Sequence, residues 1–172
     1  MSKAPDLSDF TKEEIRQTLD EVRHPFSIAV FGSENYFNGA AIVRSAHTFL
    51  VKEIIFVDVP AIYERATMGT HKWENIRHLT LDEFLSTETR PLVCFERRPD
   101  LDSQNLLTYT FPENPILCFG SEKTGIPDAV IGKAHSVVSI PQWGILNDMN
   151  LACAAGIAMY AWIDKHYNKK DK

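Results

Sequence analysis

The chain has 172 residues, 44% of them hydrophobic and 24% charged. That is the size and composition of one globular unit with a real core, and it excludes a disordered chain. Eighteen Lys and Arg against 23 Asp and Glu leave a formal net charge of −5, which excludes a protein that holds nucleic acid by bulk positive charge but allows a local basic patch.

The opening segment MSKAPDLSDF has no apolar run, so no secretory signal is expected. Thr11 to Glu14 reads T-x-x-E, a capping box that predicts a helix start. Phe10 and Ile15 stand at hydrophobic-staple positions, and Ile15, Leu19 and Val22 recur at helical spacing, predicting one buried stripe. The helix is expected to end before Pro25. FSIAVFG (26–32) predicts a strand. A turn follows, and GAAIVRSAHTFL predicts a helix with Asn38 as its N-cap. EIIFVD (53–58) predicts a second strand, Pro60 to Met68 a helix, Gly69 to Leu79 a loop and Leu81 to Leu85 a short helix. PLVCFE (91–96) is a third strand, and 97–114 a polar loop with an ambiguous LLTYTF stretch. NPILCFG (114–120) is the next strand, followed by SEKTG and a short helix around Pro127 to Ile131. SVVSIP is the last strand and Met149 to Tyr167 the final helix. Strands that are continuous apolar runs, alternating with helices, predict an α/β fold: an open, mostly parallel sheet with helices on both faces. Ligands in such sheets bind beyond the carboxyl ends of the strands.

The longest nearly uncharged stretch runs from Ile140 to Ile163, with only Asp148 charged. Its continuous apolar part, Leu151 to Ile163, is too short to span a bilayer, so a buried helix and no membrane association are expected. Cys94, Cys118 and Cys153 each lie among apolar neighbours; buried, reduced thiols and a cytoplasmic location are expected. No Cys or His pair has ligand spacing, so no metal site is expected.

Three segments at strand ends carry unusual residues. In N-G-A-A-I-V-R, Asn38 to Arg44, the arginine is the only charge between Glu34 and Lys52. Asn38 and Arg44 lie about 240° apart on a helix, so they need not act on one substrate atom from one chain. A cap and a solvated arginine explain the segment equally well. In F-G-S-E-K-T-G-I-P, Phe119 to Pro127, Gly120 permits close backbone approach and Glu122 sits in the turn; an ordinary strand–turn–helix junction is the competing reading. In Ser139 to Tyr160 a strand end at Ile140 leads through a loop to a helix that starts with small residues. Those residues suit a close dimer or a tightly threaded chain, and Asp148 and Asn150 also suit simple capping.

Taken in order and spacing, N-x-x-A-I-x-R, then F-G-x-E-x-x-G-I, then I-P-x-x-G-x-x-x-x-x-N-x-x-x-A-x-x-I-x-x-Y resembles the three signature motifs of the SpoU (TrmH-like) RNA 2′-O-methyltransferases of the SPOUT superfamily. The resemblance covers about residues 26 to 163. It implies one methyltransferase domain over 1–172, with an N-terminal helix in 1–25 and a deep trefoil knot over 115–167 that takes in the C-terminal helix. It implies S-adenosyl-L-methionine as cofactor and a homodimer with the active site at the subunit interface. Matched by position, Asn38, Arg44, Glu122 and Asn150 are the catalytic candidates. Phe95, Gly120, Ile140, Asp148 and Met149 are the cofactor contacts. The chain departs from the family at Asp148, where serine is usual; aspartate keeps an acceptor and adds a charge.

The resemblance implies transfer of a methyl group to a ribose 2′-hydroxyl of tRNA or rRNA, and the small size of the chain favours tRNA. An arginine guanidinium does not serve as a base, so Arg44 is expected to clamp RNA phosphate and to stabilise the developing alkoxide. Arg65, Lys72 and Arg77, with Trp73 and His71 between them, are the candidate RNA contacts. Arg97 with Arg98, and the lysine-rich tail, are further basic groups. Two other readings stay open at this stage: a non-catalytic RNA- or nucleotide-binding protein that keeps the fold, and a flavodoxin-like flavin or nucleotide protein.

Overall fold

The structure is a computed structural model that describes residues 9–32, 35–145 and 149–167. Thr11 caps α1 (Lys12–Val22) in a complete capping box with Glu14. Yet no residue of α1 is buried, and Val22 is half exposed, so the expected buried stripe is not formed within the described chain. The helix is held at its end instead, where the Arg23 guanidinium bonds to Asp20, Glu74 and two backbone carbonyls.

The strands are β1 (Ser27–Phe31), β2 (Ile54–Val57), β3 (Ile76–Leu79), β4 (Leu92–Phe95), β5 (Gln104–Asn105), β6 (Ile116–Phe119) and β7 (Ser136–Ser139). They form one sheet in the order β3-β2-β1-β6-β4-β7-β5, and every pairing is parallel. The segment 69–79, expected as a loop, contains β3. Its sequence IRHL is polar and only half buried, the pattern of an edge strand rather than an apolar run. β5 is a two-residue edge strand in the expected loop.

Alternate residues go to opposite faces. Ile28, Val30, Ile54, Phe56, Leu117 and Phe119 meet α2 (Tyr36–Thr48) and α5 (Leu151–Tyr167) through Ile42, Val43, Ala46, Ala155, Met159 and Trp162. Ala29, Phe31, Ile55, Val57, Cys94 and Cys118 meet α3 (Leu81–Thr87) and α4 (Asp128–Ile131) through Phe84 and Val130. The helical covering of both faces therefore matches the expectation. Cys94 and Cys118 are buried in register with each other, and burial pushes the Cys118 thiol well up. Cys153 is exposed, contrary to expectation, because it falls on the outer side of α5. Residues 60–68 form only a short 3-10 turn, Glu64–Thr67, followed by a second, Thr70–Lys72.

Candidate active site

The strands β4, β6 and β7 end side by side at Phe95, Phe119 and Ser139, and a cavity of about 230 Å³ opens there. Phe95, Val138, Ile140, Met149 and Leu151 supply apolar walls, and Gly120, Glu96, Arg97, Ser121, Glu122 and Gln142 supply the polar lining. Gly120 is obligatory. A Cβ there would stand 1.9 Å from the Gly125 carbonyl carbon and 2.2 Å from the Ile126 nitrogen. Gly125 has φ +66°, and its N–H donates to the Ser121 carbonyl at 2.9 Å. The turn is thus folded back on the strand end, with its backbone bare toward the cavity.

Glu96 shapes that turn. One carboxylate oxygen accepts from its neighbour's backbone, the Arg97 N–H, and the other from the Ile126 N–H, both at 2.9 Å. A Cβ on Gly125 would meet Glu96 Oε2 at 2.5 Å. The motif comparison did not single out Glu96. The available signal was an acidic residue closing an apolar strand, but its partner lies 30 residues away.

The three polar residues of the separate motifs meet beside the cavity. α2 is capped by Asn35, whose side chain accepts from the Phe37 and Asn38 N–H groups. Asn38 is therefore not the cap expected from the sequence. It lies inside the first turn, 6% exposed, and its side chain is free to turn inward. Asn38 Nδ2 donates to Glu122 Oε1 at 2.5 Å, and Asn38 Oδ1 accepts from Asn150 Nδ2 at 3.0 Å. Asn150 Oδ1 in turn accepts from the Ala152 and Cys153 N–H groups at the start of α5. The helix N-terminus can only donate, so it fixes the orientation of Asn150. Asn150 fixes that of Asn38, and Asn38 presents its N–H to Glu122. Residues 84 and 112 positions apart are locked in one directional chain.

Phe95, Gly120, Ile140 and Met149 all line the cavity; Asp148 lies outside the described residues. Arg44 is exposed on the outer side of α2, in a groove with Ala41, Ser45, Thr48, Met68 and Thr70, separate from Asn38 as helix geometry requires. Arg65 and Lys72 are exposed on the two 3-10 turns. Arg77 shares a groove with His71, Glu74 and Asn75. It pairs with Glu53 and Glu88 at the amino end of the sheet, opposite the cavity. His71 bonds through Nδ1 to Thr67 Oγ1, and Arg98 pairs with Asp128 and Asp100. Of the tail lysines, Lys165 donates to the Leu106 and Tyr109 carbonyls; the others lie outside the described residues. Among the described residues no group of three or more His, Cys, Asp or Glu is placed to hold a metal ion, and no helix is long and apolar enough to cross a membrane.

An all-parallel sheet with a cavity at its strand ends, two carboxylates on the rim and a bare-backbone turn defines a ligand-binding α/β enzyme scaffold. Comparison with known proteins makes the class specific. The chain belongs to the SpoU rRNA methylase family, whose model matches residues 25–160. It is 22% identical over 152 residues to the tRNA (guanosine(18)-2′-O)-methyltransferase of Aquifex aeolicus, covering 85% of this chain and 72% of that one. It is 24% identical over 166 residues to the enzyme of the same name from Borreliella burgdorferi, covering 90% and 75%. Among solved structures, the A. aeolicus TrmH/SpoU tRNA modifying enzyme superposes with a TM-score of 0.79 at 22% identity, over 92% of this chain and 84% of that one. An AdoMet-bound rRNA methyltransferase from Sinorhizobium meliloti superposes with a TM-score of 0.74 at 24% identity; 86% of this chain matches, but only 60% of that one. The two structures share the fold.

Proposed function

We propose that the protein transfers the methyl group of S-adenosyl-L-methionine to a ribose 2′-hydroxyl of RNA, with tRNA as the favoured substrate. The observation that carries this reading is the Asn150–Asn38–Glu122 chain beside the cavity, which joins all three motif segments at one point. The curated relatives act on tRNA, and this chain spans most of their length.

The cavity suits the cofactor. Its apolar walls match an adenine ring, the turn at Gly120 offers unobstructed backbone groups, and the Glu96 and Glu122 carboxylates favour a cation. When bound, S-adenosyl-L-methionine supplies an electrophilic methyl carbon already activated by the positive sulfur. The chain's own residues then have two tasks: to align the 2′-oxygen with that carbon and to lower the cost of losing its proton. Asn38, Asn150 and Glu122 form the rigid rim against which the ribose is oriented. Arg44 holds an RNA phosphate and stabilises the charge that develops on the oxygen.

Because Arg44 and Asn38 lie on different sides of α2, a second copy of the chain completes the site. The outer stripe of α5 supports a homodimer: Cys153, Ile157 and Tyr160 are exposed there, and a Cβ on Gly156 would meet nothing within 4 Å among the described residues. Trp143 is 86% exposed and Ile145 fully so, which leaves an apolar surface fit for a partner. A C-terminal trefoil knot also belongs to this reading. It is supported by the insertion of β6 between β1 and β4, and by the 97–114 connection lying against α5 through the Lys165 bonds. The location is cytoplasmic.

Titration calorimetry with S-adenosyl-L-methionine, followed by tritiated methyl transfer to unfractionated tRNA and to rRNA, tests the reading. Cofactor binding with transfer chiefly to tRNA is expected. Cofactor binding with no transfer to either RNA would leave a binding protein and overturn it.

A further inference from the structure

The proposed RNA contacts are all cationic or come from the loop after Met68, yet the most exposed aromatic pair near the site lies elsewhere. Phe37 immediately precedes Asn38 and is 64% exposed; Tyr63 is 42% exposed. Their rings meet at 5.1 Å with an interplanar angle of 60°. The pair is rigidly placed. The Tyr63 N–H donates to the Tyr36 carbonyl at 3.2 Å, and Ile62 packs so closely over Gly39 that a Cβ there would lie 2.7 Å from its Cγ2. The glycine in the first motif is thus explained by the approach of the 60–63 segment, which carries Tyr63 to Phe37.

Phe37, Ala41 and Arg44 follow one another at i, i+4 and i+7, so they form a single stripe on the outer side of α2. The stripe puts an aromatic face and a guanidinium roughly 10 Å apart along the helix, the order of one nucleotide step from base to phosphate. Arg65 lies two residues beyond Tyr63, also exposed. Aromatic faces flanked by cations are the means by which proteins hold unstacked bases of single-stranded RNA.

We propose that Phe37 and Tyr63 form a platform on which a base of the substrate RNA, next to the nucleotide being methylated, stacks while Arg44 holds the adjoining phosphate. The proposal rests on the RNA-methylation reading above. It makes the pair a determinant of RNA affinity that takes no part in cofactor binding.

The test uses the full chain with Phe37→Ala, Tyr63→Ala and the double variant, with Phe37→Leu and Phe37→Trp as chemical controls. Three quantities are read: the Kd for unfractionated tRNA by filter binding with S-adenosyl-L-homocysteine present, the KM for tRNA in methyl transfer, and the sedimentation coefficient. The double variant is expected to raise Kd and KM for tRNA about 10- to 100-fold, leaving affinity for S-adenosyl-L-methionine and the sedimentation unchanged. Phe37→Trp retains tRNA affinity and Phe37→Leu loses it, because stacking needs a π face. A tRNA Kd within about twofold of the parent overturns the platform. So does a loss of dimer sedimentation in the variants, which would assign the rings to contact with a second copy. If the parent binds tRNA through these rings but transfers no methyl group, the platform stands and the methylation reading fails. If the parent transfers methyl and the variants bind as it does, only the platform fails. A parent that neither binds nor methylates RNA overturns both.

Discussion

The two ends of the sheet carry charge in opposite ways. At the amino end, Glu53 and Glu88 face Arg77 and Arg90. Arg90 Nη2 donates to Glu53 at 2.6 Å and to Glu88 at 2.8 Å, and Arg77 Nη1 donates to Glu88 at 2.8 Å and Glu53 at 3.3 Å. Ser27, at the start of β1, accepts from Arg90. All four carboxylate oxygens receive a guanidinium, and two acids balance two bases. At the carboxyl end, Glu96 and Glu122 accept from amide N–H groups and neither stands in a salt bridge among the described residues, while Arg97 lines the same cavity and Arg98 feels the Glu96 charge. The carboxylates there are oriented by amides and not locked into a guanidinium cluster. A closed cluster ties strands together, while carboxylates held by amide N–H groups keep lone pairs open to a ligand. That contrast supports placing the proposed chemistry at the carboxyl end.

Substitutions that exchange these properties should break the contrast. The largest effect is expected at Gly120. Gly120→Ala forces the backbone of Gly125 and Ile126 to move, at a cost of about 3 kcal/mol, and calorimetry should show no cofactor binding. Tight binding by this variant would mean that the turn does not form the pocket. Next is Glu88→Gln. It leaves Arg77 and Arg90 short of an acceptor and should lower unfolding free energy by about 2–3 kcal/mol, with cofactor affinity unchanged. Burial by itself would raise the Glu88 carboxyl, but the hydrogen bonds from Arg90 and Arg77 outweigh it and hold its pKa below the ordinary value. The stabilisation is therefore complete above the unfolded-state pKa, about 4.3, and is lost as pH falls through the lower folded-state value. Thermal unfolding between pH 7 and pH 3 should show the parent losing stability in that acid range, with Glu88→Gln losing less of it. The smallest effect belongs to Arg77→Ala. That side chain is 40% exposed and Glu88 keeps Arg90, so a cost of about 1 kcal/mol or less is expected, with no change in tRNA affinity. A large loss of tRNA binding would carry RNA contact to the amino end.

The sheet core was legible because its strands are uninterrupted apolar runs; β3 and β5 were not, because edge strands need no such run. The helix start before Asn38 was misplaced by three residues. Asn35 and Asn38 are both good caps, and only the partners of the buried Asn38 side chain, Glu122 and Asn150, distant in sequence, decide between them. The same distance hides Glu96, whose partner is a backbone N–H, and the pairing of Arg77, whose surroundings in sequence gave no sign of Glu53 and Glu88. Motif spacing did bring Gly120, Ile140 and Met149 to one cavity, which the strand end at Phe95 also lines. What it did not reveal was the direction of the hydrogen bonds, which follows from the N-terminus of α5.

Nucleoside mass spectrometry of tRNA incubated with the protein and methyl-deuterated S-adenosyl-L-methionine is the decisive measurement, run in parallel on Arg44→Ala. The label is expected on a ribose 2′-oxygen, with Arg44→Ala slower by about 100-fold while still binding cofactor. Label on a base, no label at all, or an undiminished rate in Arg44→Ala would contradict the assignment of this carboxyl-end site to ribose methylation.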